Sequence, residues 1–309
     1  MKKNIIFVFL LLSLSLILAA CSTEKAPSKN KNKLMIYTTV FPLQYFTQQI
    51  GGKFVDVKTI YPPGADEHTF EPSQKNMMNI ADSDLFFYIG LGLEGFVEKS
   101  KETLKDENVT LVATAENLKL PKIRNLQANT ESSRTDINPH VWLDPIYSKE
   151  MAAVIRDTLI RKMPKNKAFF EKNYSGLAKQ LDDLNEKYKN TIASAEQKEI
   201  IVTHAAFGYW ETRYGIKQIS ISGLSTTNEP TQKQLEQIIQ AAHHEGLHYI
   251  LFEQNVQSKL GRIVEDEIGA KALPVHNLAV LTQDNIRNKE TYFTLMNKNL
   301  DSLKTALTK

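Results

Sequence analysis

Three of the seven histidines stand where a ligand site is easiest to build. His68 lies in Pro63-Gly-Ala-Asp-Glu-His-Thr-Phe-Glu-Pro72, after a predicted strand. His140 lies in Asn138-Pro-His-Val-Trp-Leu-Asp-Pro145, a loop that opens a helix, and His204 ends a strand in Val202-Thr-His-Ala-Ala-Phe-Gly208. Neutral imidazole is the commonest metal ligand among side chains, and loops at strand ends are where open α/β sheets hold ligands. Taken singly, each is also compatible with an ordinary hydrogen-bonded loop histidine. Their separations of 72 and 64 residues match no zinc-finger or HExxH spacing. Position on the fold and flanking sequence therefore carry the reading.

The elements that must position them read as a βα series given twice. Leu34–Val40, Val55–Ile60, Asp84–Ile89 and Val109–Ala113 are strand-like, with helices through Tyr45–Ile50 and Ser73–Asp82 between them. Near-continuous apolar strands alternating with helices predict a buried, mostly parallel sheet covered on both faces. Glu116–Asn138 is polar and irregular and reads as a surface loop. From Ser148 to Ala195 the pattern is helical, divided near Pro164, and Leu177, Leu181, Leu184 and Tyr188 form an apolar stripe. A second series follows, with strands at Glu199–Thr203, Ile216–Ile221, Tyr249–Phe252 and Lys271–Leu273. Helices are predicted over Gln232–Glu245, Ser258–Ile268 and Lys289–Leu307. The expected fold is α/β: two similar lobes, each a mostly parallel sheet flanked by helices, joined by one long helix, with the ligand site in the cleft. The corresponding division is 34–165, 166–195 and 196–309.

The N-terminus places this body outside the cytoplasm. Met1-Lys2-Lys3 precedes an apolar run from Ile5 to Ala20, the pattern of a secretory signal and too short for a confident span. Leu18-Ala19-Ala20-Cys21 looks like a bacterial lipobox, so residues 1–20 read as a signal peptide and Cys21 as the lipidated first residue. Cys21 is the single cysteine, which excludes an intrachain disulfide. Residues 21–33 are polar and poor in apolar surface, as suits a flexible tether. The formal charge of +3 gives no electrostatic case for nucleic acid.

The lipobox, the three histidine segments and Ile221-Ser-Gly-Leu-Ser-Thr-Thr-Asn-Glu-Pro230 together resemble the zinc/manganese-binding lipoproteins of bacterial ABC metal importers (bacterial solute-binding protein family 9, zinc type, cluster A-I). The resemblance runs in order through the mature chain. It implies two lobes on a rigid connecting helix, with one metal held between them by His68 and His140 from the first lobe and His204 from the second. Partners implied are an ABC permease and its ATPase, with the chain itself a monomer on a lipid anchor. Manganese members place an acidic residue where this chain has His204; three imidazoles suit Zn2+ better than Mn2+. A tetrahedral site needs a fourth ligand. Many zinc members supply a glutamate from a C-terminal loop, but the matching position here holds Ala279. Others use a glutamate directly before the first histidine, which here is Glu67; water and His276 are the remaining candidates.

His243-His244-Glu-Gly-Leu-His248 mimics a metal motif, but Gly246 is expected to end the helix and leave a solvated terminus. An extracytoplasmic zinc hydrolase with an open three-histidine site is the competing reading, since such a site activates water. No HExxH, GxSxG or Cys–His pattern supports it. Nothing in the residues argues for a host-binding adhesin, although cell adhesion is compatible with metal capture.

Overall fold

The computed structural model describes residues 32–121, 137–256 and 258–308. The expected signal peptide and Cys21 lie outside these, as do most of the expected tether and most of the expected surface loop. Leu34–Lys309 form one compact unit. No described helix is long and apolar enough to cross a membrane.

Two four-stranded parallel sheets carry the fold. In the first, β1 (Leu34–Thr38), β2 (Val55–Thr59), β3 (Leu85–Tyr88) and β4 (Thr110–Ala113) run in the order β2-β1-β3-β4. The second repeats that order with β5 (Glu199–His204), β6 (Lys217–Ser222), β7 (Tyr249–Glu253) and β8 (Lys271–Val275), as β6-β5-β7-β8. Each sheet thus has a topological switch point beside its first strand, where the crossovers diverge and leave a crevice at the carboxyl ends. The inner strands are apolar on both faces because helices cover both, and all four residues of β3 are buried; the edge strand β2 alternates, with Asp56 and Lys58 exposed.

Local chemistry explains most helix limits. Ser73 caps α2 (Gln74–Ala81) in a capping box with Asn76; α1 (Phe41–Gly51) precedes it. Asp144 caps α4 (Pro145–Lys162), whose first position is a proline that needs no donor. α3 (Gly95–Leu104) carries no such signal, because its cap is Glu94, whose side chain turns back to the preceding loop. A short 3-10 turn at Pro164 separates α4 from the 27-residue α5 (Lys167–Ala193). The predicted stripe of α5 is buried and extends to Ile192. The second half adds α6 (Gly208–Tyr214), α7 (Gln232–His244), α8 (Lys259–Ile268), α9 (Gln283–Arg287) and α10 (Tyr292–Ala306).

The two lobes share their main core. One contiguous cluster runs from Ile36 and Phe87 through Phe46, Met151, Leu181 and Tyr188 to Trp210 and Tyr292. A smaller cluster, with Ile201, Ile221, Ile250 and Val264, lies under α7 and α8. The C-terminal helix also crosses to the first lobe: Tyr292 packs edge-on against Phe46 at 4.9 Å between ring centroids. The lobes are therefore joined along α5 and α10, and the carboxyl ends of β2 and β5 face the cleft between them.

Candidate metal centre

The fold brings together the three histidines that the chain holds far apart. His204 is the last residue of β5, in register with Ser222 of β6. His68 follows β2, its backbone N–H donating to Asp66 Oδ1 at 2.9 Å. His140 heads the 3-10 turn before α4. His140 Nε2 lies 3.2 Å from His68 Nε2 and 3.2 Å from His204 Nε2. All three ligand atoms lie within 4.8 Å of one another.

The opposite ring nitrogens explain this orientation. His140 Nδ1 donates to Asn138 Oδ1 at 2.7 Å, and that oxygen also accepts the His140 backbone N–H. His204 Nδ1 donates to Glu253 Oε1 in a short contact. With their protons fixed on Nδ1, both rings turn an Nε2 lone pair to the common centre. Around a tetrahedral zinc, nitrogens bound at about 2.0–2.1 Å stand about 3.3 Å apart. The two 3.2 Å separations fit that demand.

Burial tunes the group. His140 and His204 are 0 % and 1 % exposed, while His68 faces a cleft lined also by Leu91, Leu93, Pro139 and Leu224. Desolvation lowers His68 to about 4, and His140 falls well below the usual imidazole value for the same reason. Burial alone would lower His204 too, but the charge of Glu253 and the hydrogen bond it accepts outweigh burial and raise it.

Glu67 is buried beside this cluster, with Oε1 3.8 Å from His68 Nε2. Desolvation pushes its carboxyl up to about 8. Ala279 sits in the turn after β8, its N–H on Asn277 Oδ1 and its carbonyl accepting from Phe41. His276 is tied into that turn: Nδ1 accepts from Leu278 N–H at 2.8 Å, and Nε2 donates to Asn285 Oδ1 at 3.0 Å. Both of its nitrogens are occupied. His243, His244 and His248 are exposed, with Gly246 left-handed at φ 63° just past the helix.

Sequence reasoning missed the residues that hold the histidines. Asn138 spans the lobes, its Nδ2 donating to Ala205 O at 3.0 Å while its carbonyl accepts Tyr209 Oη–H at 2.6 Å. Asp66 Oδ2 accepts from Thr226 Oγ1 at 2.7 Å, again across the cleft. Glu253 and Asn277 belong to the same layer. An Asn two residues before His140 was the one local signal available.

Two doubly wound lobes with imidazoles converging between their strand ends define a two-lobed metal-binding protein. The chain belongs to the family described as zinc-uptake complex component A, periplasmic (ZnuA), which matches residues 36–306. It is similar to the zinc-binding lipoprotein AdcA of Streptococcus pneumoniae strain R6, 35% identical over 289 residues, covering 92% of this chain and 57% of that protein. The chain thus spans little more than half the length of that relative. The high-affinity zinc uptake system protein ZnuA of Bacillus subtilis is 31% identical, with 93% of this chain and 91% of that protein covered. The Zn(II)-bound ZnuA-like domain of S. pneumoniae AdcA superposes with a TM-score of 0.76 at 32% identity, over 90% of this chain and 100% of that domain.

Proposed function

We propose that this chain captures Zn2+ outside the cytoplasm and delivers it to an ABC permease driven by its ATPase. The Nε2 atoms of His68, His140 and His204 are the ligands, and Glu67 closes the shell as the fourth. The observation that carries this reading is the pair of 3.2 Å Nε2 separations, which suit one small tetrahedral ion. The names of the relatives support zinc as the cargo, and an all-imidazole triad favours it over manganese.

In this reading residues 34–165 and 196–309 are the two jaws and 166–195 the strut between them. After loss of 1–20, a lipid on Cys21 and the 21–33 tether hold a monomer at the outer face of the bacterial cell membrane. The role is that of a carrier rather than a hydrolase. A catalytic zinc keeps one position open to substrate, whereas here two imidazoles are fully buried and Glu67 stands against the third.

Competition calorimetry on protein lacking residues 1–21 tests the proposal, with His204→Ala and Glu67→Ala alongside. One tightly bound zinc, lost in His204→Ala and weakened in Glu67→Ala, is the expected result. Zinc binding that survives His204→Ala unchanged would remove the three-histidine site.

A further inference from the structure

Asn277, buried in the turn after β8, touches a carboxylate from each lobe. Its Nδ2 donates to Glu67 Oε1 at 2.9 Å and to Glu253 Oε2 at 2.9 Å. Its Oδ1 accepts from the Ala279 N–H at 3.0 Å. That last bond decides which way the carboxamide faces. A flipped amide would turn oxygen toward two carboxylates and an NH2 toward an N–H donor, and every contact would be lost.

The main chain is fixed as firmly. Trp142 Nε1 donates to the Asn277 carbonyl at 2.6 Å, and the next residue, Leu278, is fully buried with φ at 62°. A branched side chain held in the left-handed region persists where its surroundings over-determine it. The amide therefore presents its two hydrogens from a fixed point. One goes to Glu67, next to His68, and the other to Glu253, whose remaining oxygen orients His204.

We propose that Asn277 is a specificity-determining positioning residue, which fixes Glu67 Oε1, the oxygen 3.8 Å from His68 Nε2, so that Glu67 meets the metal through that oxygen alone. This rests on the reading of the site given above. A carboxylate free at both oxygens can chelate, and a second oxygen raises the coordination number above four. Higher oxygen coordination suits manganese, magnesium or calcium, whereas zinc with nitrogen ligands prefers four. An N–H donor on Oε1 leaves that oxygen a second lone pair for the ion and holds the carboxylate against the rotation that would bring both oxygens onto it. The same amide holds Glu253 against His204, so one side chain sets a ligand on each side of the cleft.

The test replaces Asn277 with serine, which adds no charge and is too short to reach both carboxylates. Cobalt serves as the spectroscopic probe, with zinc and manganese affinities measured in parallel. In Asn277→Ser the zinc affinity is expected to fall about 10–100-fold, the range for partners that orient metal ligands. The visible cobalt band should lose the intensity of a four-coordinate ion, and the manganese-to-zinc affinity ratio should rise. In a Glu67→Gln background the same substitution should change the cobalt band and the metal ratio much less, leaving only the part that acts through Glu253 and His204.

A cobalt band unaltered by Asn277→Ser, or a change of equal size with and without Glu67, overturns the proposal, because a merely structural role would act independently of Glu67. Asn277→Leu, which keeps the shape, adds no charge and removes both donors, serves the same comparison where the smaller side chain does not fold. Failure of the wild-type protein to bind zinc, or zinc binding indifferent to His204→Ala, overturns the three-histidine reading itself and this one with it. Wild-type binding lost in His204→Ala but blind to Asn277 overturns this one alone.

Discussion

The indole N–H of Trp142 reaches the backbone carbonyl of Asn277 at 2.6 Å, joining the turn that carries His140 to the turn that holds Glu67 and Glu253. Trp142 is fully buried and its ring lies 5.3 Å from that of His140. The site is thus built as much by this cross-lobe bond as by the histidines.

Trp142→Phe keeps an aromatic ring and removes the donor. The stranded carbonyl is expected to cost about 1–3 kcal/mol, with further loss from the unfilled space. Urea denaturation of the metal-free protein reads this directly. Unchanged stability would mean that the bond contributes nothing net.

Proton competition sets the pH dependence of zinc binding, because the ligating imidazoles must be neutral. His68, at about 4, and His140 are already neutral near pH 7. His204 is raised by Glu253 against the opposing effect of burial. Zinc competes with protons at this imidazole, and affinity should fall as pH drops through the raised value. Burial holds Glu67 at about 8, so its coordination displaces a proton near neutrality. Calorimetry in buffers of different ionisation enthalpy should count more protons released by the wild type than by Glu67→Gln.

The same shifts act on the metal-free fold with the opposite sign. A histidine raised from 6.5 gives stability that is present below 6.5 and lost as pH rises through its folded value. A buried carboxyl raised from 4.5 to about 8 likewise loses stability across that window. The melting-temperature gap between zinc-loaded and metal-free protein is therefore expected to widen from about pH 6 to about pH 8. A gap that narrows over this range contradicts the assignment.

Asp144 caps α4 through Ile146 N–H at 2.8 Å and Tyr147 N–H at 3.2 Å, and its other oxygen pairs with Arg213 of α6 at 2.6 Å. Asp144→Ala removes both functions, and loss of the cap alone should cost about 0.5–2 kcal/mol. Asp144→Asn keeps a capping oxygen and removes the charge. Comparing the two by denaturant titration separates cap from ion pair; equal losses would assign everything to the charge.

Closure on binding should be small. Besides the shared core, Trp210 Nε1 donates to Leu143 O at 2.9 Å and Gly64 N–H to Leu281 O at 3.0 Å, while Asp66 meets Thr226 across the cleft. Tyr188 Oη–H also fastens α5 to Met296 O of α10 at 2.7 Å. X-ray scattering from metal-free and zinc-loaded protein is expected to give nearly superposable profiles. A large compaction with zinc would show that these bonds do not hold the lobes.

The sequence by itself determined the two βα series, the long α5 and the three histidines as candidates. Apolar runs mark strands buried on two faces, Ser73 marks a helix start, and the Leu177–Tyr188 stripe repeats over enough turns to be read. The 3- and 4-residue spacing has no room to show in α6 and α9, which are seven and five residues long. Only the tertiary structure decided that residues 68, 140 and 204 share one centre, that Glu67 lies beside them and that His276 does not join. It also supplied Asn138, Glu253 and Asn277. These contacts join residues as far apart as Glu67 and Asn277, separated by 210 positions, and depend on how two parallel sheets bring their carboxyl ends face to face. Residue type limits what a side chain can ligate or donate; the crossovers and the shared core decide which of those groups meet.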